Sequence, residues 1–171
     1  MAMPRKLKNM NMFNDANSYM GVSKTVTLPD LTRKLEMWRG AGMDGAVGVD
    51  LGMGDDGIKI EHTTGGLDLI SLRQYGITDA SGVPLRWAGG YQRDDTGAID
   101  SVEVVARGRH ETYSFGDAEV GEDTEHTITT VCTYYKLIVN GRVEIEIDLL
   151  AMILIVDGVD RLAEMRKAIG L

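Results

Sequence analysis

Apolar and polar residues alternate with a period of two along much of the chain, the pattern of strands with one covered face. Residues 58–64 alternate cleanly. Residues 19–28 place Val22, Lys24, Val26 and Leu28 on one side, and Pro29 ends the run. Residues 84–93 and 99–110 predict two strands joined by the polar turn DDTGA. Residues 31–39 fit two templates. Leu31, Leu35 and Trp38 have helical spacing, whereas Leu31, Arg33, Leu35 and Met37 alternate. The alternation is slightly favoured.

The clearest element is TITTVCTYYKLIVNGRVEIEIDLL, residues 127–150. Asn140 and Gly141 between two β-rich runs are a strong hairpin signal. A plain two-residue turn sets Leu137 opposite Glu144, Tyr135 opposite Glu146 and Thr133 opposite Asp148. It leaves Val143, Ile145, Ile147 and Leu149 with Cys132, Tyr134, Lys136 and Ile138 on the expected core face. The other face mixes acids with Leu137 and Tyr135. Two readings stay open here: a sandwich with an imperfect outer face, or a face covered by another subunit.

Two short helices complete the pattern. Residues 67–76 read as a helix stopped by Gly76. Residues 158–169 read as a C-terminal helix, with Asp157 as N-cap, Asp160 in the first turn and Arg166 and Lys167 in the last. Val159, Leu162, Ala163 and Ile169 form its expected buried stripe. Residues 1–17 read as an irregular arm. Residues 39–57 are an arm with seven glycines among eighteen positions from Gly40 to Gly57. Glycine loses the most backbone freedom on folding, so such a tract needs an outside contact to fix it. The expectation is one domain over residues 1–171: mainly β, an antiparallel β-sandwich or partial barrel with two short α-helices.

Composition narrows the function. The formal charge is −8, which argues against a protein that grips nucleic-acid phosphates. One cysteine, Cys132, excludes an intrachain disulfide and a cysteine zinc site. It reads as a small buried hydrophobe. The start of the chain lacks the apolar segment of a secretory signal, and the longest apolar run, residues 149–156, is too short to span a bilayer. A soluble protein made in the cytoplasm is expected.

No catalytic constellation emerges. The three histidines sit in Glu61-His62, His110-Glu111 and Glu125-His126, and neighbours on a strand point to opposite faces. They are expected at solvated or sheet-end positions. RGAGMDG lacks the Lys-Ser/Thr ending of a phosphate-binding loop. The acids of DAEVGEDTE lack calcium-loop spacing. No cofactor or metal is expected.

Four segments together resemble one family. MAMPRKLKNMNMFNDANSYMGV, TLPDLTRKLEMWRGAGMDGAVGVDLGM, YYKLIVNGRVEIEID and DGVDRLAEMRKAIGL are similar to segments of the major tail tube proteins of contractile-tailed phages. The tube proteins of R-type pyocins, which are headless particles, look similar too. The resemblance is weakest over residues 79–124. It implies a non-enzymatic β-sandwich subunit of hexameric rings that stack into a tube, with strands of six subunits closing one β-barrel. It implies a place in the virion tail and a tube driven through the cell envelope, with DNA passing down the bore without specific binding. The implied partners are further copies of the chain, the sheath protein, and tape-measure, baseplate and tail-terminator proteins.

Within that picture residues 39–57 are the expected inter-ring contact, with Arg39, Met43, Asp44, Val47, Leu51 and Met53 as candidates. Glu61, Glu103, Glu144, Glu146 and Asp148 are the acids expected to face the bore, where negative charge repels phosphates. The sequence leaves open which layer faces inward. The alternatives are a tube of a headless contractile particle and a ligand-binding β-sandwich.

Overall fold

The computed structural model describes all residues, 1–171. The strands in chain order are β1 (Lys6–Asn14), β2 (Asn17–Ser18), β3 (Ser23–Thr27), β4 (Arg33–Trp38), β5 (Val47–Met53), β6 (Ile58–Thr64), β7 (Val83–Gln92), β8 (Ile99–Ser114), β9 (His126–Val139), β10 (Arg142–Asp148), β11 (Ile153–Val156) and β12 (Val159–Asp160). Two short helices are α1 (Leu69–Gln74) and α2 (Ala163–Ala168). Every strand pair is antiparallel. The expected β-sandwich or partial barrel with two short helices is the architecture observed.

Two layers arise because β8 and β9 are long enough to run through both. The outer edge of β9 is divided: residues 126–132 pair with β6, and residues 134–139 pair with β10. Likewise β7 pairs with β8 only over residues 99–108. The first layer is therefore β3, β6 and the adjoining segments of β9 and β8, and it bears the β4–β5 ribbon. We call it the ribbon layer. The broad layer runs β2, β1, β7, β8, β9, β10, β11, β12. The break lies where Arg107 pairs with Tyr134 but Gly108 pairs with Cys132, leaving Thr133 as a bulge. The core packs between the layers: Ile58 and Ile60 of β6 lie in one cluster with Met12, Leu85, Trp87, Val104, Cys132, Tyr135 and Ile147.

That bulge changes the expected hairpin faces. Past Thr133 the inward phase of β9 moves from Cys132 to Tyr135. A second bulge at Glu144 sets Ile145 opposite Leu137 and Ile147 opposite Tyr135. Tyr135 and Leu137 thus join the core side, while Tyr134 and Lys136 turn outward with Glu146 and Asp148. The turn itself is as expected, with Asn140 at φ +49° and Gly141 at φ +80°, the two positive values of a type I′ turn.

Three further expectations are corrected. The N-terminal arm is mostly strand: β1 pairs with β7 along its length. Its asparagines weaken strand propensity and hide the inward positions Met12 and Asn14, both fully buried. The glycine-rich arm is half strand, because β5 pairs with β4 from Trp38–Val47 to Arg33–Met53. The C-terminal helix begins only at Ala163, since Asp157-Gly158 forms a hairpin turn, with φ +52° and +75°, between β11 and β12. Asp160 rather than Asp157 serves the helix start: its Oδ1 accepts from the Leu162 N–H and its carboxylate holds Arg166. Of the predicted stripe, Val159 and Ile169 are exposed.

Candidate assembly interface

The unpaired backbone of the ribbon layer is its most distinctive feature. β6 and β9 are paired on both sides over the layer. Beyond β3, no further strand is paired. At the opposite side, residues 109–114 of β8 extend past β7. The layer therefore ends in two open strand edges, the arrangement that soluble monomers avoid. The margins of the broad layer are the two-residue strands β2 and β12, although β2 pairs only with Phe13 and Asn14 and leaves residues 6–11 of β1 as a further open edge. Very short edge strands blunt association.

The second feature is the ribbon. The chain leaves the ribbon layer after β3 and returns at Ile58, so the ribbon springs from the end where Thr27 pairs with Glu61. Every residue of β4 is exposed. Trp38, Val47, Val49 and Leu51 share one ribbon face, and Leu35 and Met37 lie on the other. An isolated two-stranded hairpin is marginally stable in water, and an uncovered apolar surface marks a contact site. Arg33 clasps Asp50 through Nε and Nη2 at 3.0 and 2.9 Å. The Gly52 N–H and Arg33 hold the Asp50 carboxyl below its ordinary range.

The inter-ring candidates divide accordingly. Val47 and Leu51 lie on the apolar ribbon face. Arg39, Met43 and Asp44 form the tip, where Arg39 Nε donates to the Met43 carbonyl at 3.3 Å. Met53 is half-buried against the core at the ribbon base. Leu35, Met37 and Val49 are equally exposed but were outside the candidate set, although their alternation was visible. Trp38 is 61% exposed, in contrast to Trp87 at 2% in the core.

The five candidate bore acids do not share a face. Glu61 lies on the outward face of the ribbon layer with Lys59, Thr63, Thr129 and Arg109. Glu103, Glu146 and Asp148 lie on the outward face of the broad layer, and Glu144 is the bulge beside the hairpin turn. The broad face is charge-balanced. Arg86 pairs with Glu103 and stacks on Phe13, Arg107 stacks on Tyr134, and Lys136 faces Glu146.

The histidines are not solvated. His62 is 0% exposed, and His110 and His126 are each 7% exposed. His110 and His126 help secure α1 across the end of the core opposite the ribbon, whereas His62 packs edge-on against Tyr19 with both ring nitrogens buried and without a hydrogen-bond partner. His110 bonds Thr130 Oγ1 at 2.8 Å and Gln74 Oε1 at 3.0 Å. Gln74 and Asn14 exchange amide bonds of 2.8 and 2.9 Å. Asp68 caps α1, accepting from the N–H groups of Ile70 and Ser71, and accepts from the Tyr19 hydroxyl at 2.8 Å. Burial pulls His110 down to about 4 and lowers His62 as well. Burial pushes the Cys132 thiol up to about 12, which leaves it protonated and inert. No three His, Cys, Asp or Glu residues are grouped to hold a metal. The concavity at the ribbon base, about 300 Å³, is lined by polar residues such as Thr27, Asp30, Lys59 and Glu61. It lacks the apolar lining of a small-molecule site.

Open edges, a protruding apolar ribbon and a core without a reactive site describe a building block, and the sequence profile of one family fits it across residues 4–170. The chain belongs to the phage tail tube protein FII family. It is 53% identical to the tail tube protein of Escherichia phage P2 over the full length of both chains. It is 38% identical to the major tail tube protein of Serratia phage KSP20, covering 92% of this chain and 91% of that one. As a family member, the chain is related to structural tail components rather than to enzymes.

Proposed function

We propose that six copies of this chain close into a ring by joining the two open edges of the ribbon layer, and that the rings stack into the inner tube of a contractile phage tail. The supporting observation is the strand direction within that layer. Its four strands alternate, so a copy rotated about a common axis presents β3 antiparallel to residues 109–114 of β8. A head-to-tail contact of unlike edges closes into a ring when the rotation closes. Joining every edge removes the hazard of open strands.

In this arrangement the ribbon layer lines the bore and the broad layer faces the sheath. Glu61 then faces the bore, while Glu103, Glu146 and Asp148 face outward. The bore wall is mainly hydroxyl-bearing: Thr25, Thr27, Thr63, Thr127, Thr129 and Thr112 share that face. Lys59 there is paired with Glu111 at 3.1 Å, which leaves Arg109 as the one cation of that face without an acidic partner, set against Glu61. DNA passes without specific binding during ejection through the envelope. The β4–β5 ribbon spans to the next ring, and the contact orders it. Sheath, tape-measure, baseplate and terminator proteins complete the tail of the virion, and the subunit is made in the host cytoplasm.

Electron microscopy of the purified chain at high concentration tests this. Rings with sixfold symmetry and hollow tubes are expected. Discrete single subunits at every concentration, also in the presence of the other tail proteins, would overturn it.

A further inference from the structure

We propose that the end of the ribbon layer carrying α1 is the socket that receives the β4–β5 ribbon of the copy stacked upon it. This rests on the stacked-ring reading and names the other half of its axial contact. The ribbon emerges beside Thr27 and Ile58, whereas Ser23, Thr64, Ser114 and His126 meet at the opposite end of the same strands. Translation of one copy along the strands therefore brings the ribbon of one to the α1 end of the next.

Both ends are apolar and uncovered. At the α1 end Val22, Leu67, Leu69, Tyr75 and Phe115 are exposed. Val22, Leu67, Leu69 and Ile70 line an open pit of about 280 Å³ floored by Tyr19 and Asp68. Apart from Leu69 and Ile70, the first two residues of α1, these residues lie in the connections just before Ser23 and after Thr64. The pit is built before any partner arrives, because the Asp68, Tyr19, Asn14 and Gln74 bonds hold α1 in place. A preorganised apolar pit is the setting in which a Trp anchor contributes most, and Trp38 is the large exposed anchor on the ribbon.

Charge favours the same match. The loop beside the α1 end, residues 115–125, carries Asp117, Glu119 and Glu122, none of them in an ion pair with a cation of the same chain. Lys24 already holds Asp123 and Glu125. At the ribbon tip the Arg39 side chain bonds only the Met43 carbonyl. A second copy supplies the cation that this acidic loop lacks.

The test uses full-length chain in tube assembly followed by electron microscopy, with thermal melts confirming that each variant folds. Leu69→Asp and Arg39→Glu are each expected to cut tube yield at least about tenfold. Arg39→Glu combined with Glu119→Lys and Glu122→Lys is expected to restore tubes. Normal tubes from folded Leu69→Asp, or no restoration by the charge exchange while wild type assembles, would overturn the socket and leave the tube reading intact. Absence of tubes from the wild type itself would remove the tube reading and the socket with it. A partner other than a second copy at this pit would show as normal tubes from Leu69→Asp that fail to bind that partner, which also overturns the proposal.

Discussion

Gly108 lies so close to Val131 that a Cβ built on it would stand 2.0 Å from the Val131 carbonyl oxygen. The obstacle is backbone, so it cannot rotate away. This contact sits at the Thr133 bulge, where β8 and β9 cross from one layer to the other. Gly108→Ala is therefore expected to cost about 3 kcal/mol or more. Chemical denaturation followed by circular dichroism, or loss of soluble protein, would register it.

The two tryptophans should separate stability from assembly. Trp87→Ala removes a core side chain and is expected to cost ~3–5 kcal/mol. Trp38→Ala alters an exposed ribbon position and is expected to change subunit stability by no more than ~0.5 kcal/mol. Tube formation should nevertheless fail with Trp38→Ala. Melting curves and electron micrographs of both variants give the comparison.

Asp68 serves two partners at once. Asp68→Ala removes the N-cap of α1 and the acceptor of the Tyr19 hydroxyl, leaving that buried hydroxyl with weaker contacts. A loss of ~2 kcal/mol is expected. Asp68→Asn, which keeps an oxygen acceptor, should lose less in the same denaturant titration.

Acid should loosen the α1 end. His110 is lowered from an ordinary value of 6.5 to about 4, and His62 is lowered too, both chiefly by burial. The unfolded chain therefore takes up protons before the folded one does. Stability is full above pH 6.5 and falls as the pH drops from there toward 4, by at most about 1.4 kcal/mol per pH unit for each such group. Asp68 acts weakly in the opposite direction on both rings. His110→Gln should flatten this dependence in melts recorded between pH 7.5 and 4.5.

Local alternation made β6, β7, β8 and the Asn140–Gly141 hairpin readable, since each carries its own period and turn signal. β1 was obscured because its asparagines resemble a loop, and its inward Asn14 is satisfied by Gln74 and Ser71, about sixty residues away. β5 was obscured by Gly48 and Gly52, although Val47, Val49 and Leu51 kept the strand period. The hairpin faces depended on a bulge at Thr133, which is set by Gly108 across the sheet rather than by any nearby residue. Histidine burial was hidden for the same reason: Thr130, Gln74 and Tyr113 come together only after folding. Val47 and Leu51 of the ribbon were recoverable as apolar residues in a glycine-rich setting. Leu69 and Val22 were not, because nothing local distinguishes a residue beside an open pit from one in a core.

The arrangement of the ribbon layer is tested most directly by a cryo-electron-microscopy reconstruction of the assembled particle at side-chain resolution. The account predicts β3 of each subunit hydrogen-bonded antiparallel to residues 109–114 of β8 in its neighbour, making one unbroken sheet around the bore. A tube in which those two edges remain apart, or in which β2 and β12 make the lateral contact instead, would contradict it.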